Sequence, residues 1–336
     1  MEGITFYDIK KPPFEIFGLY NPLADEECFI RVPREVAKAT SVRVEERNLF
    51  TAGGRVRFKT DSDVLVIRSQ SDSALAFHHT PLLRHGYDVY IDRPRGSEFM
   101  GVTNPAQFTP ESFETTIMLG EGEKELTVNM PLYGQVRSLE IGLREGATLS
   151  SHSPYKHPVP IVFYGSSITH GACASRPGRA YEAIISRKYD INFINLGYSG
   201  SCLAEDAMVE YISTLEMSAF VSDYDHNAPT VEHLRNTHHR MYEKIREKHP
   251  LIPYFMITKP DFRYNKDNYD RRAVIMESYL QAYWSGDRNV YFIDGSVFFS
   301  GAELSDLTAD RCHPNDEGYA RMAAQIGDVI AKVMKL

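Results

Sequence analysis

A serine follows an apolar run in Pro160-Ile161-Val162-Phe163-Tyr164-Gly165-Ser166-Ser167-Ile168-Thr169-His170-Gly171, and Asp310-Arg311-Cys312-His313-Pro314 lies near the far end of the chain. A hydroxyl nucleophile needs a base for its proton, a group to orient that base, and donors for the oxyanion that develops. Ser167 is the candidate nucleophile, because a turn from a strand into a helix leaves backbone N–H groups unpaired beside it. On its own the segment reads equally as a turn and helix cap. His313 is the candidate base, and Asp310, three residues earlier, is close enough to fix its tautomer. Two further segments offer donors. Gly200, in Gly197-Tyr198-Ser199-Gly200-Ser201, follows the next apolar run, and glycine lets backbone approach a ligand closely. Asn227, in Asp225-His226-Asn227-Ala228, either donates its side-chain amide to an oxyanion or caps a helix beginning near residue 230. Asp225 competes for that position with the wrong chemistry.

Other chemistries fit these segments poorly. The glycine segment 165–171 lacks the Gly-Lys-Ser/Thr of a phosphate loop and the three-glycine spacing of a dinucleotide site. The G-x-S-G spacing around Ser199 is not the G-x-S-x-G elbow, so Ser199 and Ser201 are weak rivals to Ser167. Near the main segments, His170 and His226 are candidates to line a substrate pocket, and Arg176 and Arg179 either bind a polar or anionic substrate group there or solvate a helix start. The polar stretch 258–267 is a candidate pocket wall. His78 and His79 are adjacent; His233 and His238 are five apart on a helix, which is not the i, i+4 spacing of a metal pair. Trp284 is expected in the core.

The elements that must position these residues fall into two groups. Residues 1–155 carry short alternating segments at 52–60, 63–69, 87–92, 113–119, 125–130 and 138–143, broken by Gly, Pro and Asp, with one short helical piece at 34–39. That pattern predicts an all-β sandwich. From residue 158 the grammar changes to strands at 160–164, 191–196, 218–224, 253–259 and 290–295, alternating with helices at 179–189, 204–216, 230–248, 268–284 and 315–335. Alternation of this kind predicts a parallel sheet covered by helices. The candidate residues then follow strands one, two, three and five on the carboxyl edge, where such sheets keep their ligand crevices. The polar stretch 150–158 reads as a linker between the two domains, 1–155 and 158–336.

At 336 residues, with 43% hydrophobic and 24% charged residues, the composition is that of an ordinary soluble protein. A net charge of −8 without a basic cluster argues against a nucleic-acid partner. No apolar run reaches the ~20 residues of a membrane span. The N-terminal residues lack a basic and then apolar leader, so a cytoplasmic location is expected. Four scattered cysteines, with no C-x-x-C, indicate neither a disulfide framework nor structural zinc; a contact between Cys173 and Cys202 is the pairing to check.

The second half resembles the SGNH (GDSL-type) hydrolases. Gly165-Ser166-Ser167-Ile168-Thr169 matches their first block, with Ser166 where the family usually has Asp. Asp310-Arg311-Cys312-His313-Pro314-Asn315 matches the last. The resemblance implies a flavodoxin-like three-layer α/β/α domain with Ser167, His313 and Asp310 as its triad. It also implies an oxyanion hole from the Ser167 and Gly200 amides and the Asn227 side chain, with no metal or cofactor. In block three, Asp225-His226-Asn227-Ala228 replaces the common Gly-x-Asn-Asp. A jelly-roll-like β-sandwich ahead of such a domain resembles the layout of bacterial carbohydrate esterases. Removal of an O-acetyl or other short acyl group from a carbohydrate is therefore the expected activity. A lysophospholipase or thioesterase, or a carbohydrate-binding protein with a degenerate hydrolase domain, are the alternatives.

Overall fold

The computed structural model describes residues 3–24, 27–72, 79–94, 96–103, 105, 111–260 and 265–336. Its N-terminal part is two antiparallel sheets. The first has the order β1 (Ile4–Asp8), β9 (Gln135–Arg144), β4 (Val64–Asp72), β7 (Ser112–Met118). The second has the order β10 (Leu149–Ser150), β3 (Arg55–Thr60), β8 (Lys124–Asn129), β5 (Asp88–Arg93), β6 (Gly96–Val102), with β2 (Glu15–Phe17) also paired to β3. Alternation along each strand sends Val56, Phe58, Val89, Ile91, Leu126 and Val128 into one core with Leu65, Ile67 and Ile141 of the facing sheet. The opposite face of β3, β5 and β8 is not left to solvent. Arg55, Arg57, Asp88 and Asn129 there are buried, and Arg55 donates to the Phe193 carbonyl and the Asn192 side chain of the C-terminal half.

The C-terminal part is a five-stranded parallel sheet in the order β12 (Ile191–Gly197), β11 (His157–Gly165), β13 (Ala219–Asp223), β14 (Tyr254–Ile257), β15 (Val290–Ile293). This is the flavodoxin-like order 2-1-3-4-5. Three short helices belong to the N-terminal half, α1 (Arg34–Thr40), α2 (Val42–Arg47) and α3 (Pro81–His85). The others are α4 (Ser167–His170), α5 (Tyr181–Tyr189), α6 (Asp206–Thr214), α7 (Val231–Lys248), α8 (Lys266–Trp284), α9 (Leu304–Leu307) and α10 (Asp316–Met334). One apolar cluster joins α5 and α10 to the sheet and takes in Ala52, Leu83, Leu132 and Tyr133 from the N-terminal half. Both halves thus share a core around the start of α4. Among the described residues no helix is long and apolar enough to cross a membrane.

Two local expectations are corrected here. The polar stretch 150–158 is not a loose linker. His152 is buried against Asp92 (3.0 Å) and Arg57 (3.3 Å), and Tyr155 is buried with its hydroxyl accepting from Arg55 (2.7 Å). Trp284 is 76% exposed rather than core. The buried stripe of α8 runs through Arg271, Val274, Ile275, Ser278 and Ala282, and two further residues carry Trp284 about 200° round the helix.

Candidate active site

The nucleophile turn is built by close approach. A Cβ on Gly165 would overlap both Thr169 Oγ1 and the Asp223 carbonyl oxygen, so β11 can end against β13 only with glycine there. Ser166 donates its N–H to that carbonyl (3.0 Å), and its hydroxyl caps α4 by accepting from Ile168 N–H (3.1 Å). The cap is made by a fully buried neutral hydroxyl. Ser167 becomes the first residue of α4, with one of the helix's orphan N–H groups.

Ser167 Oγ lies 2.8 Å from His313 Nε2, and His313 Nδ1 lies 2.7 Å from Asp310 Oδ2. Asp310 Oδ1 accepts from the backbone N–H groups of Cys312 (3.0 Å) and His313 (2.8 Å). Burial works against this carboxylate, but the hydrogen bonds from His313 backbone and ring and from Cys312 outweigh it. They hold the Asp310 pKa below the ordinary aspartate value. The loop itself is pinned by Ala309 N–H to the His313 carbonyl (2.9 Å). Asn315 caps α10 through Glu317 and Gly318 (both 3.1 Å). Asp316 accepts from Ser175 N–H (2.8 Å) and Oγ (2.6 Å), tying the base loop to the segment after the nucleophile.

The turn after β12 folds over Gly165, whose carbonyl accepts from Tyr198 N–H (3.0 Å) and the Cys202 thiol (2.5 Å). Gly200 sits in this turn at φ +66°, a left-handed conformation suited to glycine. Asn227 is tied to the same turn: its Oδ1 accepts from Ser201 N–H (3.1 Å) and Cys202 N–H (3.2 Å). With the oxygen so occupied, the Nδ2 donors are the end left for a ligand. Asp225 turns elsewhere. Its carboxylate accepts from Lys259 N–H (3.1 Å) and its carbonyl from Arg271 (2.7 Å), so it is engaged away from the turn that Asn227 holds.

The proposed pocket residues fare less well. His170 is fully buried and does not line a pocket. Its Nε2 donates to the Leu132 carbonyl (2.9 Å), its Nδ1 accepts from Ser199 N–H (3.3 Å), and its ring stacks on Tyr133 with centroids 4.0 Å apart. Burial, reinforced by Arg31, keeps that imidazole neutral by lowering its pKa well below the ordinary value. Arg176 is claimed by the N-terminal half, 3.3 Å from buried Asp88 and stacked on Phe99 (4.0 Å). His226 is half-buried beside the carboxylates of Asp223 and Asp225, both of which burial pushes above the ordinary aspartate range. His78 and residues 261–264 of the expected pocket wall lie outside the described residues; His79 packs on Tyr133 (3.7 Å). Cys173 and Cys202 form no disulfide with each other. Cys173, at φ +64°, instead brings its sulfur within 4.8 Å of the Asp310 and His313 ligand atoms. Burial, then Asp310, pushes its pKa up to about 11.

Two contributors escaped sequence reasoning. Leu132 and Tyr133, from the turn between β8 and β9, reach across to His170 and to Ser199 Oγ (2.7 Å). No local pattern marks a turn for such a contact. The other is Asp223, buried beneath the nucleophile turn, which accepts from Thr169 Oγ1 (3.1 Å) and Tyr181 (3.4 Å). Burial, then the neighbouring Asp225, raises its pKa to about 7. An Asp closing an apolar strand is the one signal that could have drawn attention to it.

A hydroxyl, an imidazole and a carboxylate stand in series at the carboxyl edge of a flavodoxin-like sheet, the set of groups that nucleophilic acyl transfer by a serine requires. Residues 158–331 match the GDSL-like lipase/acylhydrolase family, and residues 4–149 match the N-terminus of SGNH-hydrolase-type esterases. The chain belongs to the GDSL-like lipase/acylhydrolase family. A GDSL-like lipase structure from Bacteroides ovatus is 28% identical, covering 99% of this chain and 98% of its own, with a TM-score of 0.87. A salicylyl-acyltransferase from a tetracycline biosynthetic pathway is 20% identical over 100% and 99%, with a TM-score of 0.84. A family two carbohydrate esterase from Clostridium thermocellum, solved with cellohexaose, is 16% identical over 85% and 94%, with a TM-score of 0.62. No curated protein sequence matches significantly.

Proposed function

We propose that the protein removes an O-acetyl or other short acyl group from a carbohydrate, through an acyl-enzyme on Ser167. The observation that carries this reading is the unbroken series Ser167 Oγ, His313 Nε2, His313 Nδ1, Asp310 Oδ2, with links of 2.8 and 2.7 Å. Ser167 Oγ attacks the acyl carbonyl while His313 Nε2 takes its proton, and Asp310 holds the proton on Nδ1 and stabilises the imidazolium. The Ser167 and Gly200 N–H groups and Asn227 Nδ2 donate to the carbonyl oxygen as it becomes negative. Collapse of the tetrahedral intermediate breaks the ester C–O bond, and His313 returns the proton to the leaving sugar alcohol. Water then repeats the sequence: His313 takes a proton from it as its oxygen adds to the acyl carbonyl, and collapse breaks the bond to Ser167 Oγ, which takes the proton back from His313 as the acid leaves.

In this reading residues 158–336 carry the chemistry and residues 1–155 brace it. Leu132 and Tyr133 support the His170 and Ser199 side of the site. The carbohydrate assignment is supported by the polar turns after β13 and β14. The shared fold with an esterase that was solved with cellohexaose points the same way. The test compares p-nitrophenyl acetate with p-nitrophenyl octanoate, and acetate release from acetylated oligosaccharides, for wild type and Ser167→Ala. The acetate ester is expected to be favoured by at least ~10-fold in kcat/KM, with turnover lost in the variant. Preference for the long chain overturns the carbohydrate reading, and activity that survives Ser167→Ala overturns the mechanism.

A further inference from the structure

Cys173 stands beside the triad without a part in the hydrolysis scheme. It follows α4, and its sulfur, one nitrogen of His313 and one carboxylate oxygen of Asp310 all lie within 4.8 Å of one another. Among the described residues this is the one place where three His, Cys, Asp or Glu side chains bring their ligand atoms so close. The sulfur comes from the loop after the nucleophile helix and the other two atoms from the loop before α10, so the fold creates the group. An ion can reach it: Cys173 is half-buried, and the His313 and Asp310 side chains are 19% and 41% exposed.

Sulfur, imidazole nitrogen and carboxylate oxygen together form a borderline-soft donor set, which suits Zn²⁺ better than Mg²⁺ or Ca²⁺. With Zn–S near ~2.3 Å and Zn–N or Zn–O near ~2.0–2.2 Å, tetrahedral ligands sit about 3.4–3.6 Å from one another. No pair here therefore has more than about 1.4 Å to close. The carboxylate is already anchored, because Asp310 Oδ1 accepts from the N–H groups of Cys312 (3.0 Å) and His313 (2.8 Å). Outer bonds of this kind orient a metal-binding carboxylate. Oδ2 uses one lone pair on His313 and has a second. The Cys173 thiol is protonated at neutral pH, so binding is an exchange: the S–H bond breaks, the proton goes to solvent, and a metal–sulfur bond forms. The consequence falls on His313. An ion on Nδ1 moves the ring proton to Nε2, and an ion on Nε2 occupies the lone pair that receives the Ser167 proton. In neither case can the ring act as base.

We propose that a zinc-class divalent ion binds between Cys173, His313 and Asp310 and so inhibits the enzyme reversibly. The inhibition rests on the esterase reading above; the binding does not. Two readouts on the chelator-dialysed full chain keep them apart. Co²⁺ titration is expected to give a saturable thiolate-to-metal charge-transfer band at one ion per chain, displaced by Zn²⁺. Turnover of p-nitrophenyl acetate is expected to fall with Zn²⁺, to recover with chelator, and to be indifferent to the same concentration of Mg²⁺. Cys173→Ser is expected to abolish the band and raise the Zn²⁺ concentration for half inhibition at least ~10-fold, each variant being scaled to its own metal-free rate. Should that variant fail to fold, Cys173→Gly, which suits the left-handed backbone at φ +64°, serves in its place. Cys312→Ser is expected to keep both the band and the half-inhibition point. A chain that shows the band but hydrolyses no ester overturns the esterase reading and upholds the metal site. No band with Co²⁺, equal inhibition of wild type and the Cys173 variants, loss of the band in Cys312→Ser, or equal inhibition by Mg²⁺ each overturns the proposal.

Discussion

Replacing Asp310 by Asn tests the chain of proton holders at its weakest point. In the wild type Asp310 Oδ2 faces His313 Nδ1 at 2.7 Å while Oδ1 takes the N–H groups of Cys312 and His313. In Asp310→Asn those two backbone donors hold the amide oxygen where Oδ1 now sits. The Nδ2 group must therefore face His313 Nδ1 as a donor. Nδ1 becomes an acceptor, the ring proton moves to Nε2, and His313 can no longer take the Ser167 proton. A substitution of this kind in a serine triad lowers kcat ~10,000-fold, which at 1.36 kcal/mol per decade is a loss of about 5.5 kcal/mol in the transition state. Asp310→Ala removes the carboxylate without imposing a tautomer, so its loss is expected to be smaller, even though Ala is the larger structural deletion. The assay is kcat and KM for p-nitrophenyl acetate between pH 6 and 9, with a thermal melt to show that both variants fold. An Asp310→Asn enzyme within ~10-fold of wild type, or one more active than Asp310→Ala, refutes the tautomer argument.

Three further outcomes follow from the geometry. Asn227→Ala removes the donor proposed for the oxyanion and is expected to lower kcat by ~100- to 1,000-fold, about 2.7–4 kcal/mol, with KM little changed; a change confined to KM contradicts the role. Asp223 holds its proton up to about pH 7 in the folded protein against an ordinary value of 3.8. The folded state therefore binds more protons than the unfolded state between those values, and stability falls as pH rises through that window, by up to ~4 kcal/mol. Asp223→Asn is expected to flatten this dependence, read as melting temperature at pH 5 against pH 8, and identical slopes for the two proteins contradict it. Gly165→Ala drives a Cβ into the Asp223 carbonyl. It is expected to cost at least ~2 kcal/mol of stability by denaturant unfolding, and a neutral result means that β11 and β13 do not meet as described.

The C-terminal half was legible because its signals are local. Parallel strands buried on both faces read as unbroken apolar runs, and the helices between them carry caps such as Thr230 and Asn315. All five strands and five main helices fall within a few residues of their sequence-read bounds. The Asp310–His313 pair was legible for the same reason, being three residues apart in one loop. The N-terminal half was read less completely: β1, β2, β6 and β10 lie at or beside sheet edges, where half-exposed residues blur the alternation. What the sequence could not reveal is how the halves meet. Arg55 and Arg57 alternate with Val56 and Phe58 as on a sheet face open to water, yet that face is covered by β12 and α5. His170 and Arg176 lie beside the candidate chemistry in sequence, which is the signal for a pocket-lining role. Their partners Leu132 and Asp88, 38 and 88 positions away, turn them into parts of the seam.

The account stands on Ser167 being the nucleophile that His313 activates. Labelling with a fluorophosphonate, followed by peptide mass spectrometry, tests this most directly because the adduct is irreversible and its position is read without a known substrate. One label per chain on the peptide bearing Ser167, absent from Ser167→Ala and strongly slowed in His313→Ala, is the result predicted. A label on Ser166, Ser199 or Ser201, or one at Ser167 that forms as fast without His313, contradicts it.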